Sequence, residues 1–386
     1  MISISKQLLI IIYKALCLVL LLTNSIYSQE LHNIDKLVRT STIRIYENPD
    51  EVIKIGKRIV AQSGSNVDNK IKGLKLIADA YSSKRDYEKS LEYVIKANQL
   101  LYLSKNELLK IEIINKTGIQ FHQLKIFDKA LQFLDQAEQM MAKYPAKDSI
   151  HSILARNYVV RGFIYKEKLN SEIAIEFFNK GILELANSKN QSDNTIISIA
   201  KYNKGNCYFL LSNNVLARKN YMEAYAIAKK DNATSLMAFP LKGLAEVYYS
   251  EEEYNKSIEL LLHAMNISKG VNDLVLNNGI YLGLSKSYLA LNQWEKFKVY
   301  NAKYNNNQKI IEENEHLPIG NSLQEKEIEY QKQLKNDMNK LYAKMIMTFI
   351  ITLMFVLFVA VQIKKKKLEI LNIKTKIQKL QDEKTQ

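Results

Sequence analysis

Five histidines and two cysteines are the residues of this 386-residue chain best suited to metal binding or nucleophilic chemistry, and their spacing argues against both. His32, His122, His151, His263 and His316 stand far apart, so no His-Glu-x-x-His pair puts two imidazoles on one helical face. Cys17 lies in an apolar N-terminal run, which leaves Cys207 without a disulfide partner. Between Gly205 and Tyr208, Cys207 reads as a small buried residue. The chain has no Gly-rich phosphate loop, nucleophile elbow or kinase signature. Glu251-Glu252-Glu253 reads as solvated charge at a helix corner. The sequence therefore predicts no enzyme, no metal site and no cofactor.

What recurs instead is a packing pattern. A small residue is followed by an aromatic three positions on, a small residue at twelve, a bulky one at sixteen and a small one at nineteen. The instances are Ala78/Tyr81/Ser90/Val94/Ala97, Gly118/Phe121/Ala130/Leu134/Ala137, Gly162/Tyr165/Ala174/Phe178/Gly181, Gly205/Tyr208/Ala217/Tyr221/Ala224 and Ala245/Tyr248/Ser257/Leu261/Ala264. Periods of this length mean stacked helical hairpins, because one hairpin cannot bury its apolar face alone. Three-residue spacing puts the small residue and the aromatic on one face of the first helix. Asp86-Tyr87, Phe127-Asp128 and Tyr254-Asn255 mark the corners. Four prolines and twelve glycines leave few breakers.

These units resemble the tetratricopeptide repeat family. The resemblance implies an all-α, right-handed helical-hairpin solenoid of five good repeats over 71–277. A degenerate N-terminal helical pair at 29–70 precedes them, with Pro49 near a helix start. A degenerate repeat or cap at 278–321 follows, where Phe297 stands in place of the small residue opening the second helix. In this family the first helices line a concave groove. By register the groove positions are Lys75, Asp79 and Ser82; Asn115, Ile119 and His122; Arg156, Phe163 and Lys166; Tyr202, Asn206 and Phe209; and Lys242, Glu246 and Tyr249. Aromatics mixed with amides and cations suit an extended peptide, whose backbone the amides would bond and whose carboxylates the cations would meet. The chaperone-binding members use a two-carboxylate clamp of Lys and Asn. Lys75 has Asp79 one turn on, where the clamp would want Asn, so chaperone binding is not expected.

The two ends point to a membrane. Lys6 and Lys14 precede the apolar run from Ala15 to Leu22, and small polar residues follow, as in a cleaved export signal over 1–28. A second apolar run over 345–363 is long enough to cross a hydrocarbon core as a helix. Lys344 flanks one end and Lys364, Lys365, Lys366 and Lys367 the other, which orients the tail to the cytoplasm. The expected order is signal, repeats, juxtamembrane stalk helix at 322–344, transmembrane helix at 345–363 and basic cytoplasmic coiled-coil tail at 364–386. Leu334, Met338, Leu341 and Met345, and later Ile370, Ile373, Ile377 and Leu380, step as a coiled coil does. The expected location is a bacterial inner membrane, with the repeats periplasmic.

The net charge of +15 could suggest nucleic acid. Much of it sits at the ends, since the tail from Lys364 holds eight lysines against Glu369, Asp382 and Glu383. The tail lysines suit anionic membrane lipids, and no direct contact with nucleic acid is expected. The layout resembles bacterial membrane regulators with extracytoplasmic repeats, but the tail is too short for a DNA-binding or kinase domain. The expected function is thus a membrane-anchored receptor or adaptor in envelope signalling that binds a periplasmic protein or peptide. Its tail offers a coiled-coil surface for a partner or for self-association. The alternative is a structural tether or assembly scaffold in the envelope.

Overall fold

Asparagine and aspartate open the helices. Asn48, Asn66, Asp86, Asn106, Asn170, Asn213 and Asp273 each accept, through a side-chain oxygen, a backbone N–H from the first turn that follows. Such a cap satisfies a donor that the helix cannot. The computed structural model describes residues 34–42, 44–45, 48–188, 194–270, 273–315, 339–340, 342–358, 361–362, 364–368 and 373. Among them there are helices and no strands.

The chain divides into two units, Met1–Leu317 and Pro318–Gln386. In the first, α1 (34–42) packs on a core shared by α2 (Pro49–Gln62) and α3 (Val67–Ser83), and α3 forms a hairpin with α4 (Tyr87–Asn98). The hairpins α5 (Glu107–Gln123) with α6 (Phe127–Lys143) and α7 (His151–Glu167) with α8 (Ser171–Asn187) follow. Then come α9 (Asn194–Leu210) with α10 (Asn214–Lys230), α11 (Thr234–Ser250) with α12 (Tyr254–Ile267), and α13 (Leu274–Ala290) with α14 (Trp294–Glu315). Pro49 occupies the first turn of α2, where its missing N–H costs nothing. The helix expected from Ile71 begins earlier, at Val67, because Asn66 caps it there.

The repeated small and bulky residues form the core of every hairpin. Ala78, Ser90, Val94 and Ala97 are fully buried, as are Ala174 and Phe178, and Ala217, Tyr221 and Ala224. A Cβ added at Gly162 would come within 2.5 Å of the Phe178 ring, so the two helices meet where a side chain has no room. The motif aromatic adds a second contact that the register did not reveal. It stacks on an aromatic one position before the bulky residue: Tyr81 on Tyr93 at 5.6 Å, Phe121 on Phe133 at 5.4 Å and Tyr165 on Phe177 at 5.3 Å.

Each corner turns through a left-handed residue that is not glycine: Arg85, Lys125, Leu169, Ser212, Glu252 and Asn292, with φ between 57° and 62°. The carbonyl of the motif aromatic then accepts the next N–H, as Tyr81 does from Asp86 at 3.0 Å and Tyr165 from Asn170 at 2.9 Å. This Schellman closure satisfies carbonyls at the helix end.

Within this unit, first helices of successive hairpins pack on each other more closely than second helices do, as α9 does on α11 and α11 on α13. That asymmetry puts the first helices on the inner side of the stack.

The second unit corrects the membrane expectation. Its described residues 339–340, 342–358, 361–362 and 364–368 are helical, with their side chains exposed. Among the described residues no helix is long and apolar enough to cross a membrane. This overturns the expected single transmembrane helix over 345–363 and, with it, the inner-membrane location with periplasmic repeats and a cytoplasmic tail. Lys344 and Lys364 to Lys367 are exposed, but they bracket no established span, so their proposed lipid contacts lose their basis. The expected signal over 1–28 lies outside the described residues. So do most of the stalk helix and of the tail coil, including Leu334, Ile370 and Ile377.

Replacing Gly162 by Ala should destabilise the protein by about 1–3 kcal/mol through overpacking against Phe178. Adding Phe178→Leu should recover part of the loss. Urea unfolding of the single and double variants measures both effects, and additive losses would show that the two residues do not meet.

Candidate functional site

The first-helix face is built from polar pairs that reach from one repeat to the next. Lys72 on α3 meets Asp35 on α1 at 2.6 Å. Lys75 on α3 meets Glu112 on α5 at 2.9 Å, and Asp79 meets Lys116 at 2.8 Å. Ser82 donates to Gln123 Oε1 at 3.1 Å. His122 on α5 lies 3.3 Å from Glu167 on α7, and its ring stacks on Phe163 at 5.8 Å. Lys166 on α7 donates to Asn203 on α9 at 2.6 Å.

Ionisation follows from these neighbours. Burial pushes Lys75 down, but Glu112 and Asp79 outweigh it and hold the ammonium above its ordinary value. Burial pushes Asp79 up, while Lys116 and Lys75 hold its carboxyl below the usual range. Burial also works against the Lys242 ammonium, yet Tyr202 and Glu246, the latter at 2.8 Å, hold it above its ordinary value. Lys166 differs: burial lowers it.

Ser82 and Ile119 are half-buried, and the other predicted groove residues fall into three groups. Asn115 is buried and accepts from Asn157 Nδ2 at 2.9 Å, so it joins α5 to α7 rather than facing a ligand. Lys75, Asp79, His122, Lys242 and Glu246 are half-buried and engaged in the pairs above. Phe163, Lys166, Tyr202, Asn206, Phe209 and Tyr249 are half-buried and Arg156 is exposed. The structure brings Tyr202 against Phe239 at 5.5 Å and Tyr221 at 5.9 Å, and Asn206 Oδ1 accepts from the Tyr221 hydroxyl at 2.8 Å. Tyr249 packs on Tyr254 at 5.4 Å.

Sequence reasoning missed the partners. Lys116 and Asn203 both stand two residues before the motif glycine; Lys116 donates to Asp79 and Asn203 accepts from Lys166, each in the preceding repeat, so polarity at that position was the available signal. It also missed Arg161. That guanidinium is nearly buried and meets Asp135 at 2.7 Å, Glu138 at 2.9 Å and Asn157 at 2.8 Å. Its charge is neutralised on the second-helix side, and Asn157 carries the network inward to Asn115.

Cys207 is buried, and burial pushes its thiol up to about 11, which keeps it protonated and a poor nucleophile near neutral pH. Among the described residues no group of His, Cys, Asp or Glu could hold a metal ion.

No family model matches the chain, and no curated protein does either. Solved structures do. A signal transduction ATPase with numerous domains that carries a tetratricopeptide repeat sensor, from Pyrococcus horikoshii, is similar with a TM-score of 0.56 at 18% identity. That likeness covers 72% of this chain and 41% of the other, so this chain spans less than half of that protein. The fold is a tetratricopeptide-type helical repeat. Two further similar structures hold peptides. The Rap conjugation gene regulator of the plasmid pLS20, in complex with the Phr* peptide, has a TM-score of 0.53 at 16% identity, over 72% of this chain and 75% of that one. NprR in complex with its cognate peptide NprX has a TM-score of 0.50 at 15% identity, over 79% and 87%. At these identities the likeness establishes the fold.

Asp79→Asn should lower stability at neutral pH, since it leaves Lys116 without its carboxylate. Because the folded carboxyl is held below its unfolded value of 3.8, its contribution is fully present above that pH and is lost as pH falls through the folded value. The gap in melting temperature between wild type and variant should therefore be widest near neutrality and close at about pH 2. A gap independent of pH would contradict the assignment.

Proposed function

We propose that this chain is a non-catalytic recognition module that holds an extended peptide, or an extended segment of a protein, along its first-helix face. The observation that carries the reading is the half-buried run of Phe163, Tyr202, Phe209 and Tyr249 on successive first helices, with the Asn206 amide among them. Aromatic faces supply contact area at low entropic cost. Asn206 spends its oxygen on Tyr221, which leaves its N–H donors for a peptide carbonyl. Two structures of similar fold are complexes with peptides, which supports the same use here.

Within this reading the chain acts as a receptor or adaptor, its output set by what fills the groove. Two of the similar proteins are named for such roles, a sensor and a gene regulator.

A random-sequence peptide pool passed over the immobilised full chain provides the test. Retained peptides should slow amide exchange on α5, α7, α9 and α11. Changing Phe163 and Tyr249 together to Ala should cut retention at least tenfold while leaving the helical circular dichroism unchanged. Slowed exchange confined to second helices would overturn the groove reading.

A further inference from the structure

Of the four lysine and arginine side chains at groove positions, two are paired with carboxylates inside the protein: Lys75 has Glu112 and Lys242 has Glu246. The other two lie on α7. Lys166 Nζ reaches the neutral oxygen of Asn203 at 2.6 Å. Among the described residues it has no carboxylate at ion-pair distance. Arg156 is exposed and likewise has none. It stands two helical turns before Phe163, on the same face of α7.

A half-buried ammonium without a counter-charge has lost hydration and gained little in return. Burial pushes Lys166 below its ordinary value, and Lys242 adds repulsion. An anion delivered by a ligand would meet both deficits. Phe163 lies between the two cations on the same helix, 6.0 Å from Lys166 Nζ, and offers an apolar contact for the intervening residue.

We propose that the groove selects an extended peptide with two carboxylates, one for Arg156 and one for Lys166. This rests on the groove reading above and adds the class of ligand. Ten helical residues separate the cations by about 15 Å, which an extended peptide spans in roughly four or five residues. Both cations sit on a single helix, so the arrangement differs from a clamp spread over three repeats.

The test uses the immobilised full chain and three pools of capped hexapeptides. One carries Asp or Glu at positions one and five, the second carries the corresponding amides there, and the third carries acids at positions one and two. Mass spectrometry counts what is retained. The first pool should be enriched at least tenfold over each of the others, and less so at high salt. Arg156→Gln, at an exposed site, should remove most of that preference with helicity unchanged, and Lys166→Gln should do the same. Equal retention of the first and second pools would overturn the two-carboxylate proposal and leave the groove reading standing. Equal retention of the first and third would overturn the spacing. A preference that survives both substitutions would put the acid-binding residues elsewhere and overturn the assignment. Retention of no pool would overturn the groove reading and this proposal together.

Discussion

Tyr221 is wedged between two helices that belong to different repeats. A Cβ added at Gly205 on α9, in its own repeat, would lie 2.5 Å from its ring, and one added at Gly243 on α11, in the next, would lie 2.6 Å away. The ring is fully buried, and its hydroxyl ends on Asn206 of α9. One side chain thus closes a hairpin, joins it to its neighbour and fixes the Asn206 amide. Dispersion contacts of this kind are individually small and collectively large, and they lose roughly a quarter to a half of their strength when a partner moves away by about 0.5–1 Å. Everything along the inner face depends on that spacing.

The polar pairs refine what the wedge sets up. Lys75 with Glu112, Asp79 with Lys116 and Lys166 with Asn203 all cross from one first helix to the next. Half-buried pairs add modest stability, but they settle which residues stay engaged and which remain open to a ligand. Among the described residues, Lys75 and Lys242 meet carboxylates, whereas Lys166 on α7 meets only a neutral amide oxygen. Recognition by such a surface draws on shape and aromatic contact first and on a few charges for selectivity.

The packing pattern was legible in the sequence because alternating small and bulky residues at a persistent register have one physical reading. Ser90, Leu134, Phe178 and Ala224 are buried as that register requires. The corners were less legible. Glycine is the usual residue in a left-handed position, whereas Arg85, Leu169 and Glu252 occupy it here with no compositional cue. The positions assigned by register fall on first helices, but their partners were not legible in the sequence. Pairing of Asp79 with Lys116 depends on how far one helix is shifted along the next, which the periodicity of a single helix does not contain. Asn115 shows the same gap: register places it on the inner face, and Asn157 from the next first helix buries it. Hydropathy over 345–363 suggested a membrane span, whereas among the described residues no helix is long and apolar enough to cross a membrane.

The central claim is that a bulky side chain couples neighbouring repeats into one cooperative stack. Equilibrium unfolding of Tyr221→Ala, followed by circular dichroism and by tyrosine fluorescence, tests it most directly. The account predicts a loss of about 3–5 kcal/mol and transitions that no longer coincide, since α9 and α11 would lose their shared contact. A loss below about 1 kcal/mol with coincident transitions would contradict it.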